Sequence, residues 1–74
     1  MKIKGYVLVG VYRDVDHYFS KSQEKFVDNV MKLFVGDLMT KADKRAMDLE
    51  LIKKDYPLVD RIKGFAKVKL KIEL

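Results

Sequence analysis

The clearest pattern in the chain lies in residues 65–74, which read Phe65-Ala66-Lys67-Val68-Lys69-Leu70-Lys71-Ile72-Glu73-Leu74. Apolar and charged residues alternate along this stretch, and side chains on a β-strand alternate between its two sides. A helix would scatter both sets around its circumference, so the alternation predicts a strand with one apolar face and one basic face. Such a strand implies a small sheet with a packed side and a positively charged side.

A second strand is predicted at residues 2–13, which are rich in β-branched and aromatic residues. Its odd positions form an apolar face of Ile3, Val7, Val9 and Val11. Its even positions form a mixed face of Lys2, Lys4, Tyr6, Leu8, Gly10 and Tyr12. We expect this strand to lie beside the final strand, with both apolar faces packed on helices and both lysine rows facing outward. Residues 14–19 are interpreted as a polar and aromatic connection.

The segment that follows residue 20 is interpreted as helical. Ser20 and Gln23 have the spacing of a capping box. Apolar residues then recur at helical spacing as far as Leu38, which predicts a helix from about Ser22 to Val35.

Residues 37–54 favour a second amphipathic helix, because good helix formers dominate the stretch. The alternative is a strand over 47–53, since Met47, Leu49 and Leu51 also alternate. Pro57 disfavours helical geometry in the residue before it and suits the start of a short helical turn, which Gly64 would end.

Together these patterns predict one α+β domain spanning residues 1–74. A small sheet contains the N- and C-terminal strands and is packed on one face by one or two α-helices. The predicted core consists of Ile3, Val7, Val9, Val11, Phe26, Val30, Phe34, Leu38, Ala66, Val68, Leu70 and Ile72.

Length and composition narrow the class of protein. The chain has 74 residues and no cysteine, so it has neither a disulfide framework nor a thiolate zinc site. A chain of this size buries only roughly 60 % of the surface that its unfolded form exposes, which favours a homodimer. The sequence shows no signal-peptide pattern and no apolar run of the ~20 residues that a membrane span needs. We therefore expect a cytoplasmic protein with no membrane association.

The charge is concentrated in the two predicted strands. Residues 1–13 carry three bases and no acid, and residues 61–74 carry five bases and one acid, within a net charge of +5. Lysines neutralise phosphates and tyrosine rings stack on unpaired bases, so the outer face is a candidate site for single-stranded RNA or DNA. Its candidate residues are Lys2, Lys4, Tyr6, Tyr12, Lys67, Lys69 and Lys71. The alternative is that these lysines only protect an exposed strand from aggregation.

The mixed face of the first strand suggests a second kind of site. Tyr6, Leu8 and Tyr12 would form an apolar patch of the sort that marks a protein partner. This alternative makes the chain a protein-interaction module or inhibitor. The competing interpretation is that helices cover this face as well.

Catalytic and metal-binding chemistry is not expected. Asp14, Asp16 and His17 are close in sequence, but a single histidine without cysteine falls short of a zinc site, and aspartates here suit turns. Ser20 and Ser22 are explained as caps. The four glycines are too scattered for a phosphate-binding loop. We expect no enzymatic activity, no cofactor and no metal.

The layout of a strand ending in Gly10-Val11-Tyr12-Arg13, a helical middle and a basic final strand resembles the small host-takeover proteins of tailed phages. Some of those proteins bind a toxin or an enzyme and block it. The resemblance implies a small regulator or inhibitor, which agrees with the binding functions predicted above.

Overall fold

The computed structural model describes residues 2–71 as an antiparallel four-stranded sheet with short helices. The strands are β1 (Lys2–Tyr12), β2 (Val15–Ser20), β3 (Lys25–Val27) and β4 (Arg61–Lys71), in the spatial order β3-β2-β1-β4. Two 3₁₀ turns (Val30–Lys32 and Val35–Asp37) and two helices, α1 (Lys41–Ala46) and α2 (Leu49–Asp55), connect β3 to β4. The predicted α+β class, with the first and last strands in a small sheet, is confirmed.

Strands β1 and β4 pair along almost their whole length, from Lys2 opposite Lys71 to Val11 opposite Arg61. Strand β4 begins earlier than predicted, because Gly64 lies inside the strand and does not cap a turn. The register shifts between Val9 and Gly10, and Gly64 has a φ of 129° that suits glycine at such a bulge. The alternation in residues 65–71 therefore continues a longer strand, while Ile72 lies outside the described residues.

The predicted connection at residues 14–19 is wrong, because these residues form most of strand β2. A tight turn at Arg13 and Asp14, with φ angles of 51° and 65°, joins β1 to β2. Two positive φ angles match the twist of a hairpin, although glycine or asparagine usually supplies them. A tertiary contact stabilises this turn: the Arg13 N–H donates to Asp60 Oδ2 at 3.0 Å.

The predicted helix from Ser22 to Val35 is also wrong. Gln23 N–H does donate to Ser20 Oγ at 3.3 Å, as in a capping box, but the residues that follow form a turn and then β3. Glu24 has a φ of 53°, which redirects the chain. Aromatic and β-branched side chains pack well on a pleated sheet, and Phe26 pairs with Phe19 of β2. Pairing with β2 therefore outweighs the helical periodicity.

The second predicted helix is divided into α1 and α2, and the alternative strand at 47–53 is not formed. Thr40 Oγ1 accepts a hydrogen bond from the Asp43 N–H, while the Asp43 carboxylate accepts one from the Thr40 N–H. Asp48 Oδ1 accepts from the N–H groups of Glu50 and Leu51. Because side-chain oxygens satisfy the free N–H groups at helix starts, each cap defines a separate short helix.

Side chains cover both faces of the sheet. On one face the helices pack over Leu8, Phe19 and Phe65. On the other face the segment 30–38 covers Val7, Val27 and the aliphatic row of β4. The expectation that lysines and helices lie on opposite faces is therefore wrong: even positions of β1 carry both, with the helices at one end and the lysines at the other.

Most of the predicted core is buried or half-buried, and Phe34 is the clear exception, with 59 % of its surface exposed. Helical periodicity predicts Phe34 in the core, but the structure does not form that helix. Among residues 2–71, no helix has the length and apolarity needed to cross a membrane.

Candidate nucleic-acid interface

The β1–β4 register places lysines directly opposite one another. Lys2 faces Lys71, Lys4 faces Lys69, and Tyr6 faces Lys67. Directly opposite residues in an antiparallel pair have Cβ atoms about 4.5–5.5 Å apart. All five lysines are exposed, and we call this set the basic face: Lys2, Lys4, Lys67, Lys69 and Lys71.

No carboxylate neutralises the basic face within the part of the chain that the structure describes. The ion pairs there are Lys32 with Asp28 at 2.6 Å and Lys63 with Asp16 at 3.1 Å, both at other positions on the surface. Like charges directly opposite one another on a sheet are destabilising. A bound polyanion would relieve this repulsion.

Tyr6 borders the basic face, but its ring is already covered. Lys44 of α1 places its Nζ 4.5 Å from the Tyr6 ring centroid and 5.8 Å from that of Phe65, within cation–π range. The Tyr6 backbone also pairs with Met39 through hydrogen bonds of 2.9 and 2.8 Å. Lys44 thus adds positive charge beside the basic face, and a base stacking on the Tyr6 ring would have to displace it.

Tyr12 is not brought to the basic face. It lies six positions beyond Tyr6 on β1, about 20 Å along a strand that rises 3.3–3.4 Å per residue. Its ring contacts His17 edge-on at 5.6 Å between centroids. Both line a separate open cavity of about 510 Å³, together with Phe26 and Tyr56.

Leu8 is fully buried, so the predicted exposed patch of Tyr6, Leu8 and Tyr12 does not exist. Its side chain packs with Phe19 and Met39 beneath the helical side of the domain. The interpretation that helices cover this face of β1 is the one the structure supports. Leu8 therefore stabilises the fold and cannot contact a partner.

The structure adds an apolar groove that the sequence pattern did not indicate. Met31 and Phe34 are 82 % and 59 % exposed, and they line an open groove of about 550 Å³ with the aliphatic side chain of Leu70. Three lysines of the basic face, Lys2, Lys69 and Lys71, line the same groove. We call it the Phe34 groove. The 3₁₀ turns on both sides of Phe34 form this groove, and no periodic pattern in the sequence predicts such turns.

A buried carboxylate fixes the turn that carries Phe34. Asp37 Oδ2 accepts from the Phe34 N–H and from Ser20 Oγ, both at 2.8 Å. Asp37 Oδ1 accepts from Ser22 N–H at 2.8 Å and from Ser22 Oγ at 2.7 Å. Burial pushes the pKa of Asp37 up, but the hydrogen bonds from Ser22, Phe34 and Ser20 outweigh it and hold the pKa below its usual range. The ionised carboxylate therefore ties residues 34–37 to the end of β2.

The acidic residues near the first hairpin do not converge. Asp14 occupies the turn, Asp16 pairs with Lys63, and His17 Nδ1 lies 3.0 Å from the Val15 carbonyl oxygen. In the described range 2–71 there is no group of three or more His, Cys, Asp or Glu side chains placed to hold a metal ion.

Lys2, Lys69 and Lys71 line the Phe34 groove, but their side chains leave the β1–β4 pair on the face opposite Leu70, so the basic face and the groove lie on opposite faces of the sheet. Ammonium groups can donate hydrogen bonds to phosphate oxygens, and an exposed phenyl ring can stack on a planar base. Neither a protein-family model nor a curated protein nor a solved structure matches this chain.

Proposed function

We propose that this chain is a small, non-enzymatic regulatory protein that binds nucleic acid through its basic face. One observation carries the proposal: the strand register sets Lys2 against Lys71 and Lys4 against Lys69, without a carboxylate partner among residues 2–71. Phosphates that replace the condensed counterions at these lysines supply binding free energy and remove the repulsion between them.

Protection of an edge strand is the competing explanation for exposed lysines, because β4 forms one edge of the sheet. Protection does not require lysines directly opposite one another, an arrangement that costs stability. Protection predicts no binding of nucleic acid, whereas the proposed function predicts binding that weakens as the salt concentration rises.

The proposed function predicts how steeply the binding affinity falls as the salt concentration rises. Each lysine that contacts a phosphate of a single strand contributes about 0.7 to the slope of log affinity against log salt concentration. If all five lysines of the basic face make such contacts, the slope is about −3.5, and affinity falls roughly 100-fold between 50 and 200 mM salt. Fluorescence anisotropy with a labelled oligonucleotide measures this slope.

Two variants of equal charge test whether the basic face is the site. One replaces Lys67, Lys69 and Lys71 by glutamine, and the other replaces Lys25, Lys41 and Lys54, which are exposed elsewhere. The first should weaken binding and reduce the slope by about 2, while the second should leave both near the wild-type values. Circular dichroism confirms that both variants fold. Equal losses in the two variants, or binding that does not respond to salt, would overturn the proposal.

We also propose that the chain forms a homodimer, since a domain this small gains from shared burial. Within residues 2–71, the outer edges of β3 and β4 have no strand beside them, so a second copy could extend the sheet. Light scattering coupled to size-exclusion chromatography should give twice the mass of one chain. The mass of a single chain at high protein concentration would rule this out.

A further inference from the structure

We infer that Lys44 adds a sixth ammonium group to the nucleic-acid site, and that this site holds a phosphate backbone without contacting bases. The inference rests on the proposed function and names the part of the nucleic acid that is bound. The ligand is then any chain of phosphates, whether or not bases are attached to it.

The position of Lys44 is the first support. Its Nζ lies 4.5 Å from the centroid of the Tyr6 ring and 5.8 Å from that of Phe65. Tyr6 is directly opposite Lys67, and Phe65 precedes Lys67 by two positions on β4. Because the side chains on one face of a strand recur at every second residue, both rings share a face with the lysines of the basic face. Lys44 therefore extends that face toward α1.

The six ammonium groups are arranged in three successive pairs. Each pair joins a lysine of β4 to a lysine beside it: Lys71 with Lys2, Lys69 with Lys4, and Lys67 with Lys44 over the Tyr6 ring. Side chains on one face are about 6.6–6.8 Å apart along a strand, and paired strands are about 4.7–4.9 Å apart. The pairs therefore form a strip about 13 Å long and one strand spacing wide. A strip this narrow has room for one phosphate backbone.

The side chains along this strip suit phosphates better than bases. Lysine contacts phosphate as a flexible point charge, whereas bases are contacted mainly by planar amide and guanidinium groups or by stacked rings. The rings next to the strip, those of Tyr6 and Phe65, lie beneath Lys44. Tyr12 is about 20 Å away along β1, and Phe34 belongs to the groove on the opposite face of the sheet. Contacts at the strip therefore fall on the backbone, which carries no sequence information.

Lys44 has no carboxylate partner in the described part of the chain, where the ion pairs are those of Lys32 and Lys63. An ammonium group has three N–H donors, and contact with the face of a ring leaves others free to donate to a phosphate oxygen. Lys44 can therefore contact a phosphate while it stays over the Tyr6 ring.

The salt dependence of binding tests the assignment of Lys44. Six contacts with a single strand predict a slope of about −4.2 for log affinity against log salt concentration, compared with about −3.5 for five contacts. Lys44→Gln should weaken binding and give a slope of about −3.5. Lys41→Gln is the matched control, because Lys41 is exposed on the same helix, and it should keep the wild-type slope. Equal slopes for Lys44→Gln and wild type, with both folded by circular dichroism, would overturn the assignment.

A second experiment tests whether bases take part in binding. It compares a labelled single-stranded oligouridine with an abasic oligomer of the same length, and uses inorganic polyphosphate as an unlabelled competitor. The two oligomers should bind equally, and polyphosphate should displace both. Stacking of one base would instead favour the oligouridine by about 5- to 100-fold, which would contradict the inference. Failure of polyphosphate to displace the oligomers would contradict it as well, as would tighter binding of oligouridine by Lys44→Gln.

The outcomes separate this inference from the proposed function. If wild type binds neither oligomer, or if the lysine-to-glutamine variant of β4 binds them like wild type, the proposed function itself fails. If that variant loses binding while wild type prefers the oligouridine, or while Lys44→Gln keeps the wild-type slope, only this inference fails.

Discussion

The Ser20 hydroxyl donates a hydrogen bond to the buried carboxylate of Asp37 at 2.8 Å, across 17 positions of sequence. Both side chains are fully buried, and Ser20 Oγ also accepts a hydrogen bond from Gln23 Nε2 at 3.0 Å. Gln23 Nε2 reaches the Lys32 carbonyl oxygen at 2.9 Å. This network joins the end of β2 to the segment that covers one face of the sheet. The domain therefore depends on a polar connection as well as on its apolar core.

Replacement of Asp37 by asparagine should destabilise the fold. The carboxylate accepts hydrogen bonds on both oxygens, whereas an amide offers one oxygen and turns its NH₂ group toward donors. We expect a loss on the order of 1–3 kcal/mol in the free energy of unfolding, measured by urea denaturation. Asp14→Asn is the matched control, because asparagine tolerates the positive φ of that exposed turn. Similar losses in both variants would contradict the role given to Asp37.

Stability should fall in acid in a way that depends on Asp37. The folded state lowers the pKa of Asp37 below the unfolded value of about 3.9, so its contribution is fully present above that pH. It is lost as the pH falls through the folded pKa, because the unfolded state then binds the proton more readily. Unfolding free energy measured from pH 6 downward should decline less steeply in Asp37→Asn than in wild type. Parallel declines would assign the acid sensitivity to exposed groups such as Asp28 and Asp43, whose pKa values are also lowered.

Lys69→Glu should stabilise the fold while it weakens binding to nucleic acid. Lys69 lies directly opposite Lys4, so glutamate converts a repulsive cross-strand pair into an attractive one. The gain should be about 0.2–1 kcal/mol at low salt and should shrink as salt screens the pair. Lys25→Glu, opposite the uncharged Ser20 in β3, is the control and should show no such gain. A loss of stability in Lys69→Glu would contradict the register.

Gly10→Ala should destabilise the domain through a steric clash. A Cβ atom at position 10 would lie 2.7 Å from Val59 and 2.9 Å from Phe26, closer than packed carbon atoms allow. Forcing such a group into a packed core costs roughly 1–3 kcal/mol, measurable as a lower melting temperature. Gly36 has no atom within 4 Å of its Cβ position, so Gly36→Ala serves as the control and should change stability little. Equal melting temperatures would show that this region repacks freely.

The sequence was informative where one periodicity acted alone. The alternation along β4 and the β-branched residues of β1 were enough to predict both strands and the lysine face. The sequence did not reveal β3, because Phe26 and Val27 fit helical spacing and only their pairing with Phe19 and Tyr18 selects the strand. The turn at Arg13 and Asp14 lacks the usual glycine, and its backbone contacts Asp60, which is distant in sequence. Long-range contacts of this kind leave no local pattern.

The candidate site was predicted in part for the same reason. The alternation of side chains along each strand predicts that the lysines share one face. The covering of Tyr6 by Lys44 and the burial of Leu8 depend instead on where the helices pack. Phe34 fits a helical repeat, which predicts a position in the core, whereas in the structure it lies between two 3₁₀ turns and is exposed. Burial of an apolar residue is thus a property of the packed chain and not of its spacing.

The pairing of Lys2 with Lys71 also bears on how quickly the chain folds. The longest ladder in the sheet joins β1 to β4, so most of its contacts form only after a large loop closes. Folding rates fall as contacts become less local, and domains dominated by such pairings fold in milliseconds to seconds. The β1–β2 hairpin, closed by a two-residue turn, can form long before β1 and β4 pair. In a newly synthesised chain, one edge of β1 would therefore stay unpaired until β4 pairs with it.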